Sequence, residues 1–223
     1  MIPWDDDIDV FMPRPDYDRF IEIASTTNLG DYELVTPFNK DDYPLYFAKL
    51  CQRHTTLQEE ADTPCVYGLY IDIFPIDGAP SDDAEYARLR EKMERWNRFL
   101  FYKLTRLAPR FRHDKVLWAK TIVWKLMLLP LPFSAIQRHI HALATSHDFE
   151  TSEMSDKLSF PNPGNTRMYR SVFEHYIDVE FEGHLFKAPR DYDVYQRAIY
   201  GDYMQLPPEE ERHPHHGFHA YWK

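Results

Sequence analysis

The chain opens on an acidic cluster that runs directly into an apolar strand pattern. Four of its first nine residues are aspartates: Asp5, Asp6, Asp7 and Asp9. Apolar residues then alternate with the acids at Ile8, Val10 and Met12, which is the period of a β-strand. Because successive strand side chains point to opposite faces, Asp5, Asp7 and Asp9 share one face and Asp6 points away. A fold that buries this strand must therefore compensate several carboxylates on one face.

A divalent cation is the compensation that this cluster favours. Carboxylates so close together repel one another unless a cation lies among them, and hard oxygen ligands suit Mg²⁺ or Mn²⁺. Such an ion can bridge phosphate oxygens, so the cluster predicts a metal site for phosphoryl-group transfer. Two other interpretations are a solvated acidic turn and a calcium loop. The apolar neighbours argue against the turn, and Val10 stands where an EF-hand loop starting at Asp5 requires glycine.

A second acid lies inside an apolar strand pattern much later in the chain. Asp72 is the central residue of Tyr70-Ile71-Asp72-Ile73-Phe74. A buried carboxylate is costly unless it is paired or binds a metal. If this strand lies beside the first, Asp72 completes a three-carboxylate site with Asp7 and Asp9. The alternative is an aspartate that faces a polar edge.

Composition excludes several classes of protein. The formal net charge of −10 over 223 residues disfavours non-specific nucleic-acid binding, which depends on Lys and Arg neutralising phosphates. No glycine-rich Rossmann or P-loop motif is present, and the acidic N-terminus is unlike a signal peptide.

The two cysteines, Cys51 and Cys65, match no zinc spacing. They favour a reduced, cytosolic protein, with a disulfide between them as the alternative.

The most apolar stretch, Ile122 to Ile136, is too short to span a membrane. A span needs about 20 residues, and this stretch is interrupted by Lys125, Pro130 and Pro132. We therefore predict a buried helix and a following turn there, rather than a membrane contact, and no transmembrane span in the chain.

The remaining patterns predict α+β architecture, with a helical middle third between two strand-rich parts. Strands are predicted at 32–36, 43–50 and 66–74, the last one ended by Pro75 and an Asp77-Gly78 turn, and a hairpin around Glu182-Gly183. Helices are predicted around 17–24, from a Ser81 cap, over 114–129, from about 134, and over 191–200 with Gly201 after its end.

The acidic segment also resembles a known family signature. The run IPWDDDIDV at 2–10, followed by Met12, Arg14 and Asp16-Tyr17, resembles that of the LicD family, which includes bacterial phosphocholine transferases and is related to fukutin and fukutin-related protein. Further blocks match in order along nearly the whole chain: 71–78 (IDIFPIDG), 181–183, 189–192, 200–204 and 206–208.

The resemblance implies a nucleotidyltransferase-like mixed sheet with a helical insert and a helical C-terminal part. Residues 1–80 would form the catalytic core, 81–150 the helical insert, and 151–223 a C-terminal part that completes the same domain. In such folds a small-residue turn before the acidic strand cradles the donor phosphates. Since the chain starts at Met1-Ile2-Pro3-Trp4, the resemblance implies an N-terminally incomplete core.

The resemblance further implies Mg²⁺-dependent transfer of phosphocholine, or a related group, from a CDP-activated donor to a sugar hydroxyl of a cell-surface glycan. Asp7, Asp9 and Asp72 would be the catalytic metal-binding acids, with Asp5 as a further ligand and Mn²⁺ as the alternative ion. A non-catalytic nucleotide- or glycan-binding remnant is the alternative. A glycosyltransferase is less consistent, because its acidic motif usually follows a nucleotide-binding region that does not precede Asp5.

Five further residues are candidate ligand contacts. Lys49 either contacts phosphate or is an ordinary surface lysine, and Trp4 is a candidate for the choline head group. In the histidine-rich tail, Arg212 with His215 and His216 either reaches phosphate or lies on the surface. With a lipid-linked glycan as acceptor, the expected location is the cytoplasm or the inner face of the membrane.

Overall fold

The computed structural model of the protein describes residues 8–59, 65–105, 115–159, 166–206, 208–209, 212 and 218–223, and these have α+β architecture. The strands are β1 Asp9–Pro13, β2 Tyr32–Val35, β3 Ala48–Gln52, β4 Thr55–Glu59, β5 Tyr70–Ala79, β6 Met154–Asp156, β7 Met168–Tyr169, β8 Tyr176–Phe181, β9 His184–Pro189 and β10 Phe218–Trp222. The helices are α1 Arg14–Thr26, α2 Asp83–Leu104, α3 Lys115–Met127, α4 Phe133–Ala144 and α5 Tyr192–Tyr200, with a 3-10 helix at Arg170–Phe173.

Strand β5 organises a mixed sheet. It pairs parallel to β1 and antiparallel to β3, and β2 continues the sheet beyond β3. Its C-terminal residues pair antiparallel to β6, which pairs with β7. Two separate antiparallel pairs, β4 with β10 and β8 with β9, complete the described strands.

The prediction that Pro75 and an Asp77-Gly78 turn end this strand is wrong, because β5 continues to Ala79. Pro75 is the register partner of Met12 in β1. It lies between the part of β5 that pairs with β3, which ends at Ile73, and the part that pairs with β6, which begins at Asp77, so neither antiparallel neighbour requires an amide donor from it. Gly78 is a close-approach glycine, because a Cβ there would lie 2.7 Å from the backbone carbonyl oxygens of His147 and Asp148.

The strand predicted at 43–50 is confirmed only from Ala48 onward, where β3 begins. The aromatic run before β3 forms a compact turn, in which the amide of Tyr43 donates to the carbonyl of Lys40 at 3.0 Å and its hydroxyl donates to that of Phe47 at 2.9 Å. Tyr43 is fully buried without belonging to a strand. The pairing of β4 with β10 joins residues far apart in the sequence and was not predicted.

The predicted helical stripes are confirmed. Tyr17 and Ala24 of α1 pack over the sheet with Ile73 of β5, and the partly buried Val10 and Met12 of β1 join this cluster. A second cluster joins α2 to α4 and contains Leu89, Met93, Leu100, Ile136 and Ile140. The cap of α2 differs by one residue from the prediction, since Asp82, not Ser81, accepts the Glu85 amide.

Helix α3 is present where predicted, but its predicted burial is wrong. Thr121 is its one buried residue, and Val123, Leu126 and Met127 are each more than half exposed. Among the residues that the structure describes, no helix combines the length and apolar character that crossing a membrane requires.

The predicted hairpin and last helix are confirmed. Strands β8 and β9 meet at Glu182 and Gly183, both with positive φ (49° and 76°), as a type I′ turn requires. Helix α5 ends at Gly201, whose φ is 66°.

Candidate active site

Three ionisable side chains form a row across the middle of the sheet. Asp9 of β1 is the register partner of Asp72 of β5, and Lys49 of β3 is the partner of Asp72 on its other side. Because register partners in a sheet point to the same face, the three side chains lie next to one another on one face. The structure thus places the Asp72 strand directly beside the acidic strand.

The row runs from a buried cation to an exposed acid. The side chain of Lys49 is 2% exposed, that of Asp72 is 18% exposed, and Asp9 is exposed. Lys49 Nζ donates to Asp72 Oδ1 at 2.6 Å. This pairing excludes an ordinary surface lysine at 49 and gives the Asp72 carboxylate the partner that burial demands.

Aromatic rings enclose the Lys49 ammonium. Its Nζ lies 3.2 Å from the ring centre of Tyr70, 5.3 Å from that of Phe47 and 5.5 Å from that of Tyr67. Such an enclosure is the kind that recognises quaternary ammonium groups. Here the lysine of the chain itself occupies it, so the enclosure stabilises the ion pair with Asp72.

A second buried lysine lies over the same face and was not predicted. Lys157 is 7% exposed, and its Nζ lies 4.5 Å from the ring centre of Phe74 and 5.1 Å from that of Phe11. The two rings stack with their centres 5.6 Å apart. Phe11 follows Asp9 by two residues, and Phe74 follows Asp72 by two, so each ring lies on the same face of the sheet as that acid. The sequence signal was weak, because a lysine after a three-residue strand pattern is typical of a solvated side chain.

An acid next to Lys157 connects that segment to the helical part of the chain. Asp156 is 1% exposed and accepts hydrogen bonds from Tyr86 Oη at 2.7 Å and from Thr166 Oγ1. Arg90 of α2 also lies 3.5 Å from Oδ2 of Asp156. These contacts hold β6 in place, and with it the backbone that carries Lys157.

Behind the sheet, a buried ion pair fixes α1 to β5. Arg14 Nε donates to Asp77 Oδ1 at 2.6 Å, and its Nη2 donates to Tyr46 Oη at 3.4 Å. Asp77 is fully buried, and burial raises its pKa to about 6 against the opposing effect of Arg14. Since Arg14 follows β1 directly, this pair holds the strand that carries Asp9 against β5.

Several predicted site residues lie outside the described residues: Trp4, Asp5, Asp7, His215 and His216. Arg212 is described and exposed, and its amide donates to the carbonyl of Glu209 at 3.3 Å. Its contact with phosphate stays a prediction.

The donor set of the row fits a hard divalent cation. Asp9 and Asp72 present carboxylate oxygens on adjacent strands, which is the ligand chemistry that Mg²⁺ favours. Within the described part of the chain, no three His, Cys, Asp or Glu side chains form a cluster able to hold a metal. The third and fourth predicted ligands, Asp7 and Asp5, belong to the segment that is not described.

Both cysteines are free, buried thiols, so the alternative of a disulfide between them is wrong. Burial raises the pKa of Cys51 to about 12 and that of Cys65 to about 11. Neither thiol is therefore suited to nucleophilic chemistry near neutral pH.

Comparison with known proteins supports a transferase. The sequence is 29% identical to the lipopolysaccharide cholinephosphotransferase LicD of Haemophilus influenzae over 231 aligned positions, which cover 99% of this chain and 82% of that protein. No family model and no solved structure matches the chain.

Proposed function

The chain belongs to the LicD family, and from that premise we propose that it transfers phosphocholine, or a closely related phospho-group, from a CDP-activated donor to a sugar hydroxyl of a lipopolysaccharide-type glycan. The similarity to a cholinephosphotransferase extends over nearly all of the chain, which supports the same class of reaction.

The pairing of Asp9 with Asp72 is the observation that carries this proposal. Two strands far apart in the sequence bring two carboxylates side by side in a register that α1 and the Arg14–Asp77 pair maintain. Asp9, at the exposed end of the row, would face the donor and the acceptor, whereas Asp72 toward the buried end is paired with Lys49.

Mg²⁺ is the proposed cofactor, with Mn²⁺ as a possible substitute. Asp7, Asp9 and Asp72 would hold the ion, with Asp5 as a further ligand, and it would offset negative charge on the donor diphosphate. The register pairing of Asp9 with Asp72 on adjacent strands supports this ligand set.

The proposed reaction is a substitution at phosphorus. The acceptor hydroxyl oxygen forms a new bond to the phosphorus of phosphocholine, the bond from that phosphorus to the CMP oxygen breaks, and CMP leaves. The hydroxyl proton passes to a carboxylate. Asp72 either accepts this proton, which requires hydrogen-bond distance to the acceptor oxygen, or acts only as a metal ligand.

The two buried lysines add positive charge to a face that otherwise carries acids. Lys157 lies over Phe11 and Phe74 next to the row, where its ammonium would attract the donor phosphates. Lys49 acts through Asp72, because its ammonium is enclosed by rings and bonded to that carboxylate. Positioning and charge neutralisation of this kind account for most of the acceleration in phosphoryl transfer.

The test is CMP release from CDP-choline in the presence of lipopolysaccharide acceptors, with and without Mg²⁺. Asp9→Asn should lower turnover by about a hundredfold or more, since it removes a charge needed at the reacting group. Asp41→Asn, a change at an exposed acid in a turn, is the matched control and should retain activity.

Absence of turnover by the folded wild-type chain, with every activated donor and acceptor tried, would contradict the transferase proposal. Donor binding that persists without turnover would instead support a non-catalytic remnant of the family. Turnover that survives chelation of divalent ions would contradict the metal-dependent mechanism.

A further inference from the structure

Helix α3 exposes an apolar face. Val116, Val123 and Met127 are 65%, 54% and 63% exposed. Counted from Val116, they are the first, eighth and twelfth residues, a spacing that places them on one stripe of the helix. Ala119, the fourth residue in the same count, lies on this stripe and is also exposed. At 100° per residue these positions fall within about one third of the helix circumference. The side turned to solvent is therefore the side that a helix in an aqueous protein normally buries.

The inward side of α3 combines the ring of Trp124, which stacks on Tyr102 of α2, with two bonded polar side chains. Thr121 is 4% exposed, and its hydroxyl donates to the carbonyl of Leu117 at 2.9 Å. Lys125 Nζ donates to the carbonyl of Thr105, also at 2.9 Å. The Thr121 bond lies within the helix, whereas the Lys125 bond joins α3 to Thr105 at the end of α2. A rotation of α3 that buried its apolar stripe would therefore break the Lys125 contact. The exposure of the stripe is thus built into the packing of α3.

The apolar surface extends beyond this stripe. Leu126 and Leu129 are 62% and 68% exposed at the end of the helix and in the turn that follows. A surface depression of about 430 Å³ lies along the same helix and is lined by Lys115, Val116, Ala119, Lys120, Val123 and Trp124. Contiguous exposed apolar surface of this kind marks a site of interaction with a protein or a membrane.

Charge distinguishes between these two partners. Lys115 and Lys120 lie on either side of the apolar stripe, and both are exposed. No Asp or Glu occurs between residues 115 and 147, although the chain carries 36 acidic residues and a net charge of −10. The surface is therefore apolar with a positive border in an otherwise acidic protein, which complements an anionic lipid surface.

We propose that α3 docks the protein on an anionic membrane surface, lying in the plane of the interface. Val116, Val123 and Met127 would enter the boundary between head groups and acyl chains, while Lys115 and Lys120 would contact the anionic head groups. This inference stands on α3 alone and does not depend on the proposed transferase activity. Docking of this kind would bring the chain to a lipid-linked acceptor.

A second copy of the chain fits this surface less well. A symmetric dimer through α3 would place the same patch on both sides of the interface, so that Lys115 and Lys120 of each copy approach a like-charged border. An anionic lipid surface meets the same border with the opposite charge.

Vesicle flotation with the full chain tests the proposal. Vesicles of phosphatidylcholine alone are compared with vesicles of equal parts phosphatidylcholine and phosphatidylglycerol, and the bound fraction of protein is measured. Binding is expected to the anionic vesicles and to weaken as salt concentration rises. Replacement of Val123 and Met127 by Asp, or of Lys115 and Lys120 by Glu, should each weaken binding by about tenfold or more.

The matched control is Leu185→Asp, a change at a leucine that is 70% exposed on the β8–β9 hairpin, which should bind as the wild type does. Circular-dichroism melting curves show whether each variant is folded. The charge-reversal variant tests the surface even if the aspartate variant unfolds, because it leaves the apolar stripe intact.

A fluorescent reporter gives an independent measurement. An Ala119→Cys variant labelled with an environment-sensitive dye should show a blue shift on anionic vesicles, and the two native thiols are buried and should resist labelling. Absence of binding, binding that ignores both sets of substitutions, or an unshifted label on bound protein would each overturn the proposal. A lipid-free dimer that the same substitutions dissociate would assign the surface to a second copy.

Discussion

Asp9 and Asp72 are register partners across the parallel pairing of β1 and β5. Asp72 is also bonded to the buried Lys49, so one carboxylate of the pair is compensated by the chain itself and the other is exposed. A divalent cation bound at this row would therefore contact Asp72, which the buried Lys49 holds in place, and Asp9, which is exposed. This arrangement separates the structural role of Lys49 from the proposed chemical role of the acids, and the two roles can be tested apart.

The Lys49–Asp72 pair should behave as a coupled unit in folding. Lys49→Met or Asp72→Asn alone should lower the free energy of unfolding by about 2–3 kcal/mol, because each leaves the other charge poorly compensated in a largely buried setting. The double variant should be more stable than the sum of the two losses predicts, yet inactive. Urea unfolding of the four proteins in a double-mutant cycle measures the coupling. Strictly additive losses would show that the pair contributes no coupling.

Lys157 should affect donor affinity more than stability. Lys157→Met keeps apolar contact with Phe11 and Phe74 but removes the positive charge, so the Kd for CDP-choline should rise about tenfold. Lys157→Arg retains the charge and should restore most of the affinity. Isothermal titration calorimetry measures both, with Lys187→Met, on the exposed hairpin, as the control. Equal affinities for wild type and Lys157→Met would place the donor phosphates elsewhere.

Local patterns predicted most of the helices and the hairpin. The stripe that contains Leu89, Met93 and Leu100 forms the core-facing side of α2, and the Glu182-Gly183 pair forms the tight turn between β8 and β9. These features depend on residues close together in the sequence, where periodicity and turn preferences act directly. The strand alternation at Asp9 and Asp72 likewise identified two acids that the fold brings together.

Non-local contacts account for what the sequence did not predict. The burial of Lys49 depends on the rings of Tyr67 and Tyr70 in a later segment of the chain, and Lys157 reaches the site only because β6 pairs with the end of β5. Pro75 resembled a strand end because its neighbours in the sheet were unknown. The prediction that α3 is buried failed for the same reason, since an apolar sequence does not show whether other elements of the fold cover it.

Gly78 should tolerate no side chain. A Cβ at this position would lie 2.7 Å from the carbonyl oxygens of both His147 and Asp148, which belong to backbone and cannot move independently. Gly78→Ala should therefore destabilise the protein by about 2–3 kcal/mol through overpacking. The control is Gly183→Asn, at a left-handed turn position (φ 76°) with open space around it, where Asn costs little. Thermal unfolding of both variants measures the difference, and equal melting temperatures would contradict the close approach.

The buried Asp77 carboxyl should make stability depend on pH in an unusual direction. Burial raises its pKa from 3.8 to about 6, so the folded state favours the protonated form. Its contribution to stability is then complete below the ordinary pKa and is lost as the pH rises through about 6. Relative to Asp77→Asn, which cannot ionise but still accepts from Arg14, the wild type should gain about 1 kcal/mol between about pH 7 and about pH 5. Urea unfolding at the two pH values measures this gain, whereas a wild type that loses stability relative to Asp77→Asn over the same interval would mean that Arg14 outweighs burial and holds the pKa below its ordinary value.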